Sequence, residues 1–137
     1  MSTANTTSLL GVPVRVEHSS GNIEPLLHEI RHALGKLLSS GDRTCIDLAG
    51  LPLAPGEQER IMSTLGQGEV VATITASGRS EIAETLFAGV WMVSHIDEHG
   101  KCRSRCIDVT WVPDLLPSQK SDVAAGLVRL NTLLGTS

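Results

Sequence analysis

The sequence predicts an α+β domain in which an antiparallel β-sheet meander carries helices packed on one face, a two-layer sandwich. Three observations point there. Residues 70–111 are strand material cut by short turn segments, and consecutive strands joined by short turns pair antiparallel. Three other segments repeat their apolar residues on a helical period. The chain has 137 residues, a length that fits one domain, and an apolar fraction of 41%, enough for a core.

The elements follow in order. Residues 1–8 are rich in Ser, Thr and Asn, and 1–20 is expected to be a flexible segment. Within it Val12, Val14 and Val16 alternate, and Pro13 favours an edge strand. A single α+β domain is expected over 21–135. Ile23, Leu26, Leu27, Ile30, Leu34, Leu37 and Leu38 make one stripe, so 22–40 reads as a helix with Asn22 as N-cap and Gly41 as stop. Thr44–Leu48 is a short strand. A second helix starts near Pro55, with Glu57 and Glu59 suited to its first turn, and ends before Gly66 or Gly68. Val70–Ala76 and Glu81–Leu86 read as strands. Val90–Ile96 and Cys102–Trp111 flank the polar loop Asp97-Glu98-His99-Gly100-Lys101 as a hairpin. The last helix covers about 119–134, with Val123, Leu127, Leu130 and Leu134 on one face.

Composition excludes several classes. Net charge is −4 and the eleven basic residues are scattered, so the footprint of a nucleic-acid binder is missing. No apolar run reaches bilayer length, and Met1–Leu10 has no signal-peptide pattern. The three cysteines, an odd count, suit reduced thiols and a cytoplasmic location.

Motifs for chemistry are sparse. No nucleophile elbow, Gly-rich dinucleotide loop or P-loop is present. The sharpest chemical candidate is His95, His99, Cys102 and Cys106, because imidazole and thiolate ligate zinc and iron. Against it, Cys102 and Cys106 lie four residues apart on one strand, roughly 13 Å at about 3.3 Å per residue. The competing reading is an ordinary hairpin. His28 and His32 share a helix face but have no third ligand nearby in sequence, and Cys45 reads as a buried small hydrophobe. Glu84 is a charge in an apolar strand run. It belongs either to the solvent side of a one-sided sheet or to a recognition face with Trp91. Trp91 and Trp111 each alternate with apolar neighbours and face either the core or a partner.

An ordered set of short motifs carries a resemblance. Leu26-Leu27-His28-Glu29-Ile30-Arg31-His32-Ala33-Leu34 is followed by Thr44-Cys45-Ile46-Asp47-Leu48 and Leu51-Pro52-Leu53. Gly66-Gln67-Gly68-Glu69-Val70-Val71-Ala72 and Glu84-Thr85-Leu86-Phe87-Ala88-Gly89-Val90-Trp91 come next, and Ala124-Ala125-Gly126-Leu127-Val128-Arg129-Leu130 closes the series. Together these resemble the C-terminal domain of the HupH/HyaF-type hydrogenase expression/formation family over about 25–135. Asp108 stands where the family pattern has Glu, and Cys102 and Cys106 are not part of that pattern.

The resemblance implies a non-catalytic, chaperone-like accessory protein for nickel–iron hydrogenase maturation, with no cofactor of its own. The implied partners are the precursor of the hydrogenase small, iron–sulfur subunit and other maturation proteins, with no nucleic acid and no membrane. The expected partner-binding face is Glu69, Glu84, Thr85, Trp91 and Asp108. The alternative is a metal or iron–sulfur delivery protein using His95, His99, Cys102 and Cys106. A homo-oligomer formed through an exposed strand edge is a further reading.

Overall fold

The computed structural model describes residues 23–136 and, before them, the backbone of two short strands, β1 (Asn5–Thr7) and β2 (Pro13–Arg15). The rest of the expected flexible segment, together with Asn22, lies outside the described residues. β1 and β2 pair antiparallel as a two-stranded sheet, so the edge position that Pro13 requires is met.

The main sheet has five antiparallel strands in the order β3-β7-β6-β5-β4. These are β3 (Thr44–Asp47), β4 (Val71–Ala76), β5 (Gly78–Glu84), β6 (Val90–Ile96) and β7 (Cys102–Val109). The last four form the expected meander, because each connection is short. β3 pairs with the remaining edge of β7 and extends the sheet by one strand. A register irregularity at His95/Ile96 offsets the far end of the β6–β7 hairpin.

Alternation along the strands makes two faces. Ile46, Val90, Met92, Ile107 and Val109 point to one of them. There they meet Ile23, Leu26, Ile30, Ala33 and Leu37 of helix α1 (Ile23–Ser40), and Ile61 and Leu65 of helix α2 (Glu57–Leu65). The three- and four-residue spacing on α1 turns one stripe to the sheet, and this is the main core. Gly41 accepts the left-handed backbone after α1, and its N–H donates to Leu37 O. A single 3₁₀ turn at Leu48–Gly50, capped by the Asp47 carboxylate on Ala49 N–H, leads into the Leu-Pro-Leu connector. At the start of α2 the Glu57 carboxylate is buried and accepts from Ala54 N–H at 2.8 Å.

The opposite face carries a smaller cluster, Ile82, Trp91 and Val93, with Ala72 and Leu116 against it. Helix α3 (Lys120–Leu133) forms where periodicity predicts it but buries none of its residues. Two helices therefore cover the sheet. The third departs from the expected arrangement.

Candidate partner-binding end of the sheet

The five residues expected to form a binding face gather at one end of the sheet. Register aligns Glu84 with Trp91 and Trp91 with Asp108, so the three stand in one row on the face away from α1. Cys45 continues the row on β3, opposite Asp108. Glu69 and Thr85 lie beside it. Gly68 N–H donates to Glu84 O at 2.7 Å, and Glu84 N–H donates to Val70 O at 2.9 Å.

These contacts explain two of the sequence motifs at once. Gly66-Gln67-Gly68 and Glu84-Thr85-Leu86 interlock through their backbones, with Leu86 N–H donating to Leu65 O at 2.9 Å. A Cβ on Gly68 would come within 2.5 Å of the Thr85 carbonyl oxygen, so only glycine permits this approach. Gly66 has φ of 71°, the left-handed region that favours glycine.

Burial divides the five expected residues into two groups. Trp91 is only 6% exposed, and its indole N–H donates to Thr110 O at 3.2 Å. Sequence alone left this side chain facing either core or partner; the structure puts it in the smaller cluster beside Leu116. Thr85 is also buried. Its hydroxyl accepts from Phe87 N–H at 3.1 Å and donates to Phe87 O, which closes the turn into β6. Trp91 and Thr85 thus support the surface from beneath. Glu69 is exposed, and Glu84 and Asp108 are half-buried.

The turn held by Thr85 pushes out side chains that sequence reasoning did not select. Leu86 is 68% exposed and Phe87 49%, while Trp111, just past β7, is 61% exposed. Thr110 N–H donates to Gly89 O and ties the Trp111 segment to the same turn. The chain contains only three aromatic residues, and two of them face solvent at this end. The missed signal was Phe87 inside the Glu84–Trp91 motif, flanked by Ala88 and Gly89, which do not continue a strand.

At the β3 edge a cavity of about 350 Å³ is lined by Arg43, Thr44, Cys45, Asp108, Thr110 and Asp114. An Arg43–Asp114 ion pair spans its rim. The Cys45 thiol tucks against Asp108 and Cys106, although the residue as a whole is exposed. Burial, then the hydrogen bond and negative charge of Asp108, push this thiol up from 9.0 to about 12. Cys106 is raised as well, chiefly by burial. Neither thiol has the electropositive setting of a reactive cysteine.

The His95/His99/Cys102/Cys106 set does not converge. His95 Nδ1 lies 2.8 Å from Ser80 Oγ, and Cys102 is exposed with its S–H directed at Ser104 O. His99 sits in a loop organised by Asp97, whose carboxylate accepts from the N–H groups of His99 and Lys101 and pairs with Arg103. The Lys101 N–H, with those partners, holds the Asp97 carboxyl below its ordinary range. Among the described residues no three His, Cys, Asp or Glu side chains are placed to hold a metal ion. Among them, too, no helix is long and apolar enough to cross a membrane.

The fold and this end define a small α+β domain that presents an apolar, acid-flanked rim. The model of the HupH hydrogenase expression protein, C-terminal conserved region, matches residues 21–136. The chain belongs to the HupH hydrogenase expression protein family. A solved structure of hydrogenase expression protein HupH from Thiobacillus denitrificans ATCC 25259 superposes with a TM-score of 0.81 at 41% identity. That match covers 85% of this chain and 97% of the other. No curated protein matches the chain.

Proposed function

We propose that this chain is a non-catalytic accessory protein of nickel–iron hydrogenase maturation that holds the precursor of the small, iron–sulfur subunit. The reading rests on membership in a hydrogenase expression family and on one observation, the apolar rim of Leu86, Phe87 and Trp111 beside Glu69, Glu84 and Asp108. Large side chains held out by a hydrogen-bonded turn are what a partner-binding surface needs. Aromatic anchors supply contact area at little conformational cost, and flanking carboxylates select and orient the partner. The rim sits on a rigid base, because Trp91 and Thr85 lock the backbone beneath it.

The test is anaerobic co-purification of this chain with a small-subunit precursor, comparing wild type with Leu86→Ser/Phe87→Ser. Leu86 is 68% and Phe87 49% exposed, so the double variant is expected to stay folded with only a small drop in its thermal midpoint. Loss of the anchors should weaken capture by about 2 kcal/mol or more, on the order of 30-fold. Undiminished capture by the folded variant would remove the rim from the proposal. Absence of capture by wild type would remove the small-subunit precursor.

A further inference from the structure

Two of the three cysteines meet on the face of the sheet away from α1. Register sets Cys45 opposite Asp108 and Asp47 opposite Cys106, so β3 and β7 bring two thiols and two carboxylates to the corners of one square. Ile46 and Ile107, which lie between them, point into the main core, and this fixes the facing of all four. The thiols occupy one diagonal and lie against each other. Of the carboxylates, Asp47 is turned to Ala49 N–H. Cys106 is half-buried beside Val93 of the smaller cluster, while Cys45 opens on the cavity of about 350 Å³. The pair thus has an apolar wall on one side and an entrance on the other.

We propose that Cys45 and Cys106 form a two-thiolate site for a soft monovalent metal ion, with Cu(I) as its representative. The site uses none of Leu86, Phe87 or Trp111, and the inference stands independently of the small-subunit reading.

Spacing selects a bridging ion over a disulfide. A disulfide needs its Cα atoms within about 6.8 Å, whereas diagonal neighbours on antiparallel strands stand about 7–8 Å apart. The diagonal is long for a sulfur–sulfur bond. Two sulfurs on opposite sides of an ion are separated by two metal–sulfur bonds, about 4.6 Å at about 2.3 Å each, so thiols already side by side need open only slightly.

Ligand number selects the class of ion. Among the described residues no three His, Cys, Asp or Glu side chains are placed to hold a metal. Structural zinc takes four ligands and is not served by two. A soft monovalent ion with a filled d shell is satisfied by two thiolates in line, and thiolates favour Cu(I) over harder ions.

Charge sets the strength. Binding releases both thiol protons to water, so two neutral thiols and a monovalent cation become a complex of charge −1. Arg43 lines the same cavity and offsets part of that charge, although it is paired with Asp114. Burial and the Asp108 carboxylate keep the proton on Cys45, so the ion competes against them. The site therefore holds its ion less tightly than an unhindered dithiol.

Anaerobic titration of the reduced full chain with Cu(I), supplied as its bicinchoninate complex, tests the site. The expected result is transfer of a single Cu(I) per chain, with thiolate-to-copper charge-transfer absorption in the near ultraviolet. Cys45→Ser and Cys106→Ser should each lower the affinity by about 100-fold or more, since either change removes one of two ligands. Cys102→Ser, at the exposed third cysteine, should leave it unchanged, and Asp108→Asn should tighten it several-fold. X-ray absorption at the copper edge needs no variant and should show two sulfur neighbours alone. A reduced wild type that takes no copper from the chelator overturns the proposal. Full uptake by Cys45→Ser, loss of uptake in Cys102→Ser, or nitrogen or a third sulfur bound to the copper overturns it too.

Discussion

Helices α1 and α3 are written in the same code and end in opposite environments. Each carries an apolar stripe at three- and four-residue intervals. On α1 the stripe of Ile23, Leu26, Ile30, Ala33 and Leu37 is buried against the sheet. On α3 the stripe of Val123, Leu127, Leu130 and Leu134 is open to solvent. A helical period states that a face needs cover and is silent on which surface supplies it. The difference lies in the chain around the two helices. α1 leads through Gly41 directly into β3, so it lies close to the strand it feeds. α3 instead follows a segment of bends and turns that holds Pro113 and Pro117, with Leu116 N–H donating to Pro113 O, and does not lead straight into or out of a strand.

Substitutions break that symmetry in measurable order. Trp91→Ala should cost about 3–5 kcal/mol, because a large buried side chain and its hydrogen bond to Thr110 are lost together. Trp91→Ala therefore reports on folding. Leu37→Ala on α1 should cost about 2–5 kcal/mol as a cavity opens in the main core. Leu127→Ala on α3 should stay within about 0.5 kcal/mol in dilute protein. Urea unfolding at low concentration checks all three. Comparable losses at Leu37 and Leu127 would mean that α3 packs on its own domain.

A smaller effect separates the two edges of the sheet. The fold keeps the Cys45 thiol protonated up to about pH 12, whereas its ordinary value is 9.0. As pH rises above 9 the unfolded chain releases a proton that the folded chain retains. Stability therefore falls between about pH 9 and pH 12, and the contribution is fully present below that window. Cys45→Ala should flatten this alkaline decline in chemical-denaturation midpoints. An unchanged slope would place the thiol away from Asp108.

Most of the fold was legible because its signals are local. Alternation placed β6 and β7, and the stripe placed α1 to within a residue. Motif order also singled out Glu84, Trp91 and Asp108 from three different strands, and register sets them in one row. Facing was not legible. Trp91 and Trp111 both alternate with apolar neighbours, yet one is packed under Leu116 and the other stands in solvent just past the strand. The pairing of β3 with β7 spans some sixty residues and leaves no local trace. Leu86 and Phe87 look like strand continuation until the Thr85 hydroxyl turns the backbone. The exposure of α3 is set by what the described residues around it leave open, which no spacing encodes.

The most direct test of the account is hydrogen–deuterium exchange of the chain alone and mixed with a purified hydrogenase small-subunit precursor. Protection gained at Thr85–Val90 and Thr110–Val112, with the Asp97–Lys101 loop unchanged, is the predicted result. Protection confined to the Asp97–Lys101 loop or to β1 and β2, with the Leu86–Trp111 rim still exchanging freely, would contradict it.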